Sequence, residues 1–184
     1  MRPAVLTLIL ISFFLSAWAQ CPQGDITFYS QGQVDNFVVS YPNCTEIAGD
    51  VIIGTNTTTN IVNLNGLSQI TTIGGRLFIR HNIELTDLAG LNNLTSIGES
   101  VWIQANPALT SLIGLNNLAS VNGYLHIESN GGLTNLTGLN NLISVGRLYI
   151  ESNSGLINLT GLNNLTTIGG DFLIERNTSL TSLA

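Results

Sequence analysis

One phrase, Gly-Leu-Asn-Asn-Leu, limits this chain more than any other feature. It stands at 90–94, 114–118, 138–142 and 161–165, with a worn copy, Gly-Leu-Ser-Gln-Ile, at 66–70. Successive copies begin 24 residues apart, and the last step is 23. Self-similarity at a fixed period of this size builds an array in which each repeat buries its apolar side only against its neighbours.

Each repeat also contains a short segment that reads as a strand ending in asparagine: 50–56, 76–82, 100–106, 124–130, 147–153 and 171–177. Five residues before that asparagine stand Leu77, Val101, Leu125, Leu148 and Phe172. Three before it stand Ile79, Ile103, Ile127, Ile150 and Ile174. Side chains in a strand alternate with period two, so both columns face inward. After each strand the leucines fall three apart, as in Leu85, Leu88, Leu91 and Leu94, followed by Ile97. That spacing fits neither an amphipathic helix nor a regular strand, but it fits short arcs that keep every third side chain inside. Glycines at 74–75, 98, 123, 146 and 169–170 mark corners before the strands. The paired asparagines of the phrase, such as Asn92 and Asn93, suit turns and are candidates for stacked amide ladders. The expected fold is all-β: a right-handed parallel β-helix, or solenoid, of about 24-residue repeats.

The first 48 residues do not repeat. Residues 1–19 read as a secretory signal: Arg2, an apolar stretch over 4–15, and Ala17-Trp18-Ala19 as the cleavage site. A transmembrane anchor would need about 20 apolar residues, and the run is short for that. Acylation of Cys21 would want a small residue where Gln20 stands. Residues 20–48 suit a cap over the open end of the array. They carry the aromatics Phe28, Tyr29, Phe37 and Tyr41, and a short helix is expected over 34–41, with Asp35 and Asn36 in its first turn. Cys21 and Cys44 are the two cysteines, and an even count in an exported chain points to a disulfide; two free thiols are the alternative. Residues 49–184 form the array. The last residues, 180–184, fall inside a repeat, so the expectation is a fragment, or an end covered by another subunit.

At this point the resemblance becomes specific. The pattern Leu-x-Ile-x-x-Asn-x-x-Leu-Thr-x-Leu-x-Gly-Leu-Asn-Asn-Leu-Thr-x-Ile-Gly resembles the receptor L-domain family, the β-solenoid ligand-binding modules of insulin- and epidermal-growth-factor-type receptors. The segments Cys21-Pro22-Gln23-Gly24-Asp25 and Tyr41-Pro42-Asn43-Cys44-Thr45 look like the bacterial surface versions. The leucine-rich repeat shares Leu-x-Leu-x-x-Asn, but there a leucine follows the asparagine by two residues. Here the offset is uniformly three: Leu85, Leu109, Leu133, Leu156 and Leu180. The resemblance implies a secreted or cell-surface binding or adhesion module whose partner is an extracellular glycan or protein.

With isoleucines inside, the residue before each one faces out. That column is Phe78, Trp102, His126, Tyr149 and Leu173, a stripe suited to sugar rings or a protein surface. Rings that shield one another are the alternative. The next outward column is Arg80, Gln104, Glu128, Glu151 and Glu175, which reads as a solvated row whose charge Arg147 and Arg176 offset. Glu128, Glu151, Glu175 and Asp171 are the candidates for a polysaccharide-cleaving enzyme. Successive rungs put them on one side, whereas glycoside hydrolysis needs carboxylates flanking the bond. His81 and His126 are read as isolated surface residues. No cofactor, metal site or catalytic role is therefore expected. The formal charge of −6, with no lysine, argues against nucleic acid and against an anionic membrane. Membrane attachment would have to come through an anchor absent from this chain. A structural envelope or matrix spacer is the second expectation for function. Sequons begin at Asn43, Asn56, Asn93, Asn135, Asn158, Asn164 and Asn177, and most fall out of the repeat itself.

Overall fold

The computed structural model describes residues 21–183; the expected signal segment lies outside the described residues. Successive repeats lie one on another as parallel strands. The chain runs β1 (Ile26–Phe28), α1 (Gln31–Ser40), β2 (Glu46–Ile47), β3 (Val51–Thr59), β4 (Thr72–Ile73), β5 (Leu77–Asn82), β6 (Ser96–Ile97), β7 (Val101–Gln104), β8 (Ser120–Glu128), β9 (Ser144–Glu151), β10 (Thr167–Ile168) and β11 (Phe172–Glu175). One sheet has eight strands in the order β1-β3-β5-β7-β8-β9-β10, with β11 also on β9, and the other has three, β2-β4-β6. Neither sheet closes on itself. β10 pairs with the first residues of β9 and β11 with its last four, so β9, like β8, spans a corner that is broken between β4 and β5 and between β6 and β7.

The register is the one the isoleucine column predicts. Ile53 pairs with Ile79, Ile79 with Ile103, Ile103 with Ile127, Ile127 with Ile150 and Ile150 with Ile174. Ile53, Ile79, Ile103, Ile127 and Ile150 are fully buried, as are Leu77, Val101, Leu125 and Leu148. Phe172 departs from its column: it is 56% exposed and Ile174 is only partly buried, because no described strand lies beyond β11 to cover them. The leucines spaced by three are buried from Leu85 through Leu159, while Leu162, Leu165 and Leu180 in the last repeat are only partly buried. Short 3-10 turns at Asn65–Leu67 and Ala89–Leu91 carry the arc. Gly114 shows why the phrase opens on glycine. Its φ is +123°, and a Cβ there would overlap the Leu88 carbonyl of the preceding repeat. The corner glycine Gly98 meets a different need, close approach to the Gly74 carbonyl without positive φ.

The asparagine that ends each strand is the second structural column. Asn82, Asn106, Asn130 and Asn153 are completely buried. Each Nδ2 donates to the carbonyl of the isoleucine one repeat back, at 3.1 Å for Asn82 to Ile53 and 2.9 Å for Asn106 to Ile79. It also donates to the next asparagine's Oδ1, at 3.0 Å from Asn82 to Asn106 and 3.1 Å from Asn106 to Asn130. The same Oδ1 accepts a backbone N–H, at 3.1 Å from Asn82 to Asn106. The residue before each of these asparagines, and before the partly buried Asn177 (His81, Ala105, Ser129, Ser152, Arg176), has φ between 55° and 57°. That left-handed step breaks the in–out alternation and turns the amide inward. None of the five is β-branched, which fits the steric cost of such residues there.

Three expectations need correction. The amide ladder forms at the strand-ending asparagines, not at the paired ones; Asn117 and Asn141 instead donate to backbone carbonyls of Asn92 and Asn116, at 2.6 and 2.7 Å. Asn56 is not the first rung of the ladder. The pairing slips after Gly54, so Thr59 lies opposite Asn82 and its hydroxyl donates to Asn82 Oδ1 at 2.7 Å. The helix starts at Gln31 rather than 34, so Asp35 stands in its second turn, bonded to Gln31 Nε2 at 2.7 Å. Helix α1 and β1 cover the first repeat with Phe28, Val34 and Phe37, all buried, and β1 pairs with β3. The Cys21–Cys44 disulfide is present, with Cα atoms 4.8 Å apart. It ties the start of the described chain to the turn leading into β2.

Candidate functional site

The eight-stranded sheet brings the predicted outward column together. Phe78 pairs with Trp102, Trp102 with His126, His126 with Tyr149 and Tyr149 with Leu173. In-register parallel pairing puts the same side-chain position of successive repeats about 4.8 Å apart, close enough for rings to touch. Phe78 and Trp102 stack at 6.2 Å between centroids. Trp102 and His126 meet at 4.7 Å, and His126 and Tyr149 at 5.7 Å, both edge-on. The rings are half-buried, while Leu173 is 37% exposed and ends the column.

Tyr124 belongs to the strip, and the column reading missed it. It sits 5.9 Å from Trp102 and 5.5 Å from Tyr149. The signal was in the sequence: Tyr124 lies two residues before His126 on β8, so period two places both on one face. Such ring pairs are worth about 0.5–1.5 kcal/mol each beyond the area they bury.

The charged row runs beside the rings. Arg80, Gln104, Glu128, Glu151 and Glu175 pair in register. Gln104 Nε2 donates to Glu128 at 2.7 Å. His126 is not the isolated surface residue the sequence suggested. Its side chain is only 12% exposed, between Trp102 and Tyr149, with Nε2 at 3.6 Å from Glu128 and 3.2 Å from Glu151. Neither contact has hydrogen-bond geometry, so both ring nitrogens are buried without a hydrogen-bond partner. Arg80 lies over Phe78, 5.8 Å from the ring centroid.

The expected offset by arginine is also different. Arg147 does not reach the glutamates; it stacks 5.0 Å above Tyr124 and pairs with Asp171 at 3.4 Å. Arg176 does meet Glu175, at 3.5 Å, with both side chains well exposed. The Tyr149 hydroxyl donates to Asp171 at 3.1 Å. Loss of solvent, and then that bond to a carboxylate, hold Tyr149 above the usual phenol range, so it stays a neutral donor at neutral pH.

This surface offers flat apolar rings beside carboxylates. That combination can stack on a sugar or an apolar side chain and accept hydrogen bonds or a cation. Among the described residues, no group of three or more histidine, cysteine or acidic side chains could hold a metal ion. No described helix is long and apolar enough to cross a membrane. No curated protein and no solved structure matches the chain. A family model described as receptor L domain matches residues 43–110, from the disulfide turn through the first ring-bearing strands to Leu109, just after β7. Over that stretch, the chain is similar to the receptor L-domain family.

Proposed function

We propose that the chain is a secreted or cell-surface, non-catalytic binding module that takes an extracellular glycan or protein on the outer face of its eight-stranded sheet. The observation that carries this reading is the continuous contact of Phe78, Trp102, Tyr124, His126 and Tyr149 across successive repeats. Aromatic rings held half-exposed on a rigid sheet are preorganised for contact, since little side-chain freedom remains to be lost on binding. The receptor L-domain match supports a ligand-binding role, and it supports an extracellular setting together with the Cys21–Cys44 bond. In this reading the repeats wind as a right-handed parallel β-solenoid over 49–184. Residues 20–48 cap its first turn, and 1–19 serve as the signal, removed after Ala19.

A second reading also has an observation behind it. Each ring contacts a neighbouring ring, so part of the strip is satisfied by itself, as a structural spacer in an envelope or matrix would require. A glycan array and a surface-protein panel, probed with wild type and with a Trp102→Ala, Tyr149→Ala double variant, separate the two. Binding that disappears in the double variant supports the module. Binding that survives removes the rings from the site, and absence of any binding favours the spacer.

A further inference from the structure

The same face carries negative charge that the fold leaves unbalanced. Glu128 and Glu151 stand on neighbouring strands, in register. Their close partners are Gln104, which is neutral, and His126, which adds positive charge only when protonated. Each described arginine is engaged elsewhere. Arg76 holds Glu99 at 2.8 Å, Arg147 holds Asp171, Arg176 holds Glu175, and Arg80 lies over Phe78. Two carboxylates one rung apart, beside rings and with no fixed cation, make a surface whose charge complement has to come from outside.

Resting on the ring-lined face as the binding surface, we propose that its occupant is a basic protein segment. A lysine or arginine stem lies across Trp102 and Tyr149, and its cationic head rests on Glu128 and Glu151 from the solvent side, since the His126 edge already stands between them. The rung spacing suits this head: carboxylates about 4.8 Å apart can both accept from one ammonium, which has three donors, or from the fork of a guanidinium. The apolar stem covers ring surface while the head reaches the carboxylates. Cation–ring contact favours the same placement, and the face already shows it twice, in Arg147 over Tyr124 and Arg80 over Phe78. Arg80 also fixes the direction of the ligand. It occupies the position of Glu128 two strands earlier, so a cation is drawn toward Glu128 and Glu151 and away from Phe78. An acidic polysaccharide would meet repulsion from both the row and the net charge of −6.

Calorimetric titration of the full chain with a hexalysine peptide, and separately with neutral cellohexaose, tests this. The variants are Glu128→Gln with Glu151→Gln, Trp102→Ala, and a charge-matched control, Glu46→Gln with Glu84→Gln, at exposed residues away from the face. Thermal melts check that each variant folds. Hexalysine is expected to bind wild type, with affinity that falls as salt rises. The Glu128/Glu151 variant should lose about tenfold or more, and the control should stay within about twofold. Equal losses in control and test variants, or no hexalysine binding, overturn the proposal. If cellohexaose alone binds, depends on Trp102 and ignores the Glu128/Glu151 change, the cationic ligand is wrong while the ring-lined face stands. If neither probe binds and no array signal depends on Trp102, the face itself is wrong.

Discussion

A buried asparagine at the end of each strand satisfies groups that the turn would otherwise strand. Asn130 shows the arrangement in full: its Nδ2 donates to Ile103 O, Glu128 O and Asn153 Oδ1, and its Oδ1 accepts from the backbone and side chain of Asn106. Removing the amide leaves a buried N–H and a buried carbonyl unpaired, and each costs about 1–3 kcal/mol. Asn130→Ala should therefore lose about 3 kcal/mol or more in denaturant unfolding. Asn141→Ala should lose no more than about 1 kcal/mol, because its bond to Asn116 O lies at the exposed surface. Equal losses would mean that the ladder is not what distinguishes the two sites. Both residues look alike in sequence, as asparagines repeated at the same period. What separates them is the left-handed residue before Asn130, Ser129 at φ 56°, and no residue type announces it.

At the scale of the element, the repeat is set by where backbones meet. Gly114 combines φ +123° with a Cβ position that the Leu88 carbonyl occupies. Gly114→Ala should cost about 2 kcal/mol or more through backbone strain alone, read as a fall in the unfolding midpoint. Much of this layer was legible. The isoleucine register, the leucine arcs and the disulfide follow from period and count, because stacking in register forces like residues onto like. Two features were not legible, for local reasons. β3 carries extra residues after Gly54, so counting to Asn56 misplaces its end, and only the pairing of Thr59 with Asn82 reveals the slip. Helix α1 starts three residues early because Gln31 supports it through Asp35, a bond between side chains rather than an N-terminal charge effect. The Cys21–Cys44 bond closes a loop of 23 residues in sequence, and in the chain-entropy model such a loop contributes about 3 kcal/mol. Cys21→Ser with Cys44→Ser should lose stability of that order. Exchange of amide hydrogens should rise in β1 and α1 before it rises in β8 and β9.

Across the whole molecule the two kinds of repetition divide the labour. The inner columns are uniform because each rung must fit the next, so they carry stability and little identity. The outer columns change from strand to strand: phenylalanine, tryptophan, histidine and tyrosine beside arginine, glutamine and glutamates. The candidate face was visible from alternation alone. Its tyrosine at 124 and the enclosure of His126 depended on how neighbouring rings close over one another. The central claim is that ligand contact falls on this face and nowhere along the leucine arcs. Hydroxyl-radical footprinting, with and without the ligand recovered from the array or the peptide titration, tests it directly. The account predicts reduced oxidation of Trp102, Tyr124 and Tyr149 on binding, with Ile113, Ile143 and Ile157, exposed on the arcs and the turns beside them, unchanged. Protection of those isoleucines with the three rings still oxidised at their free rate would contradict it.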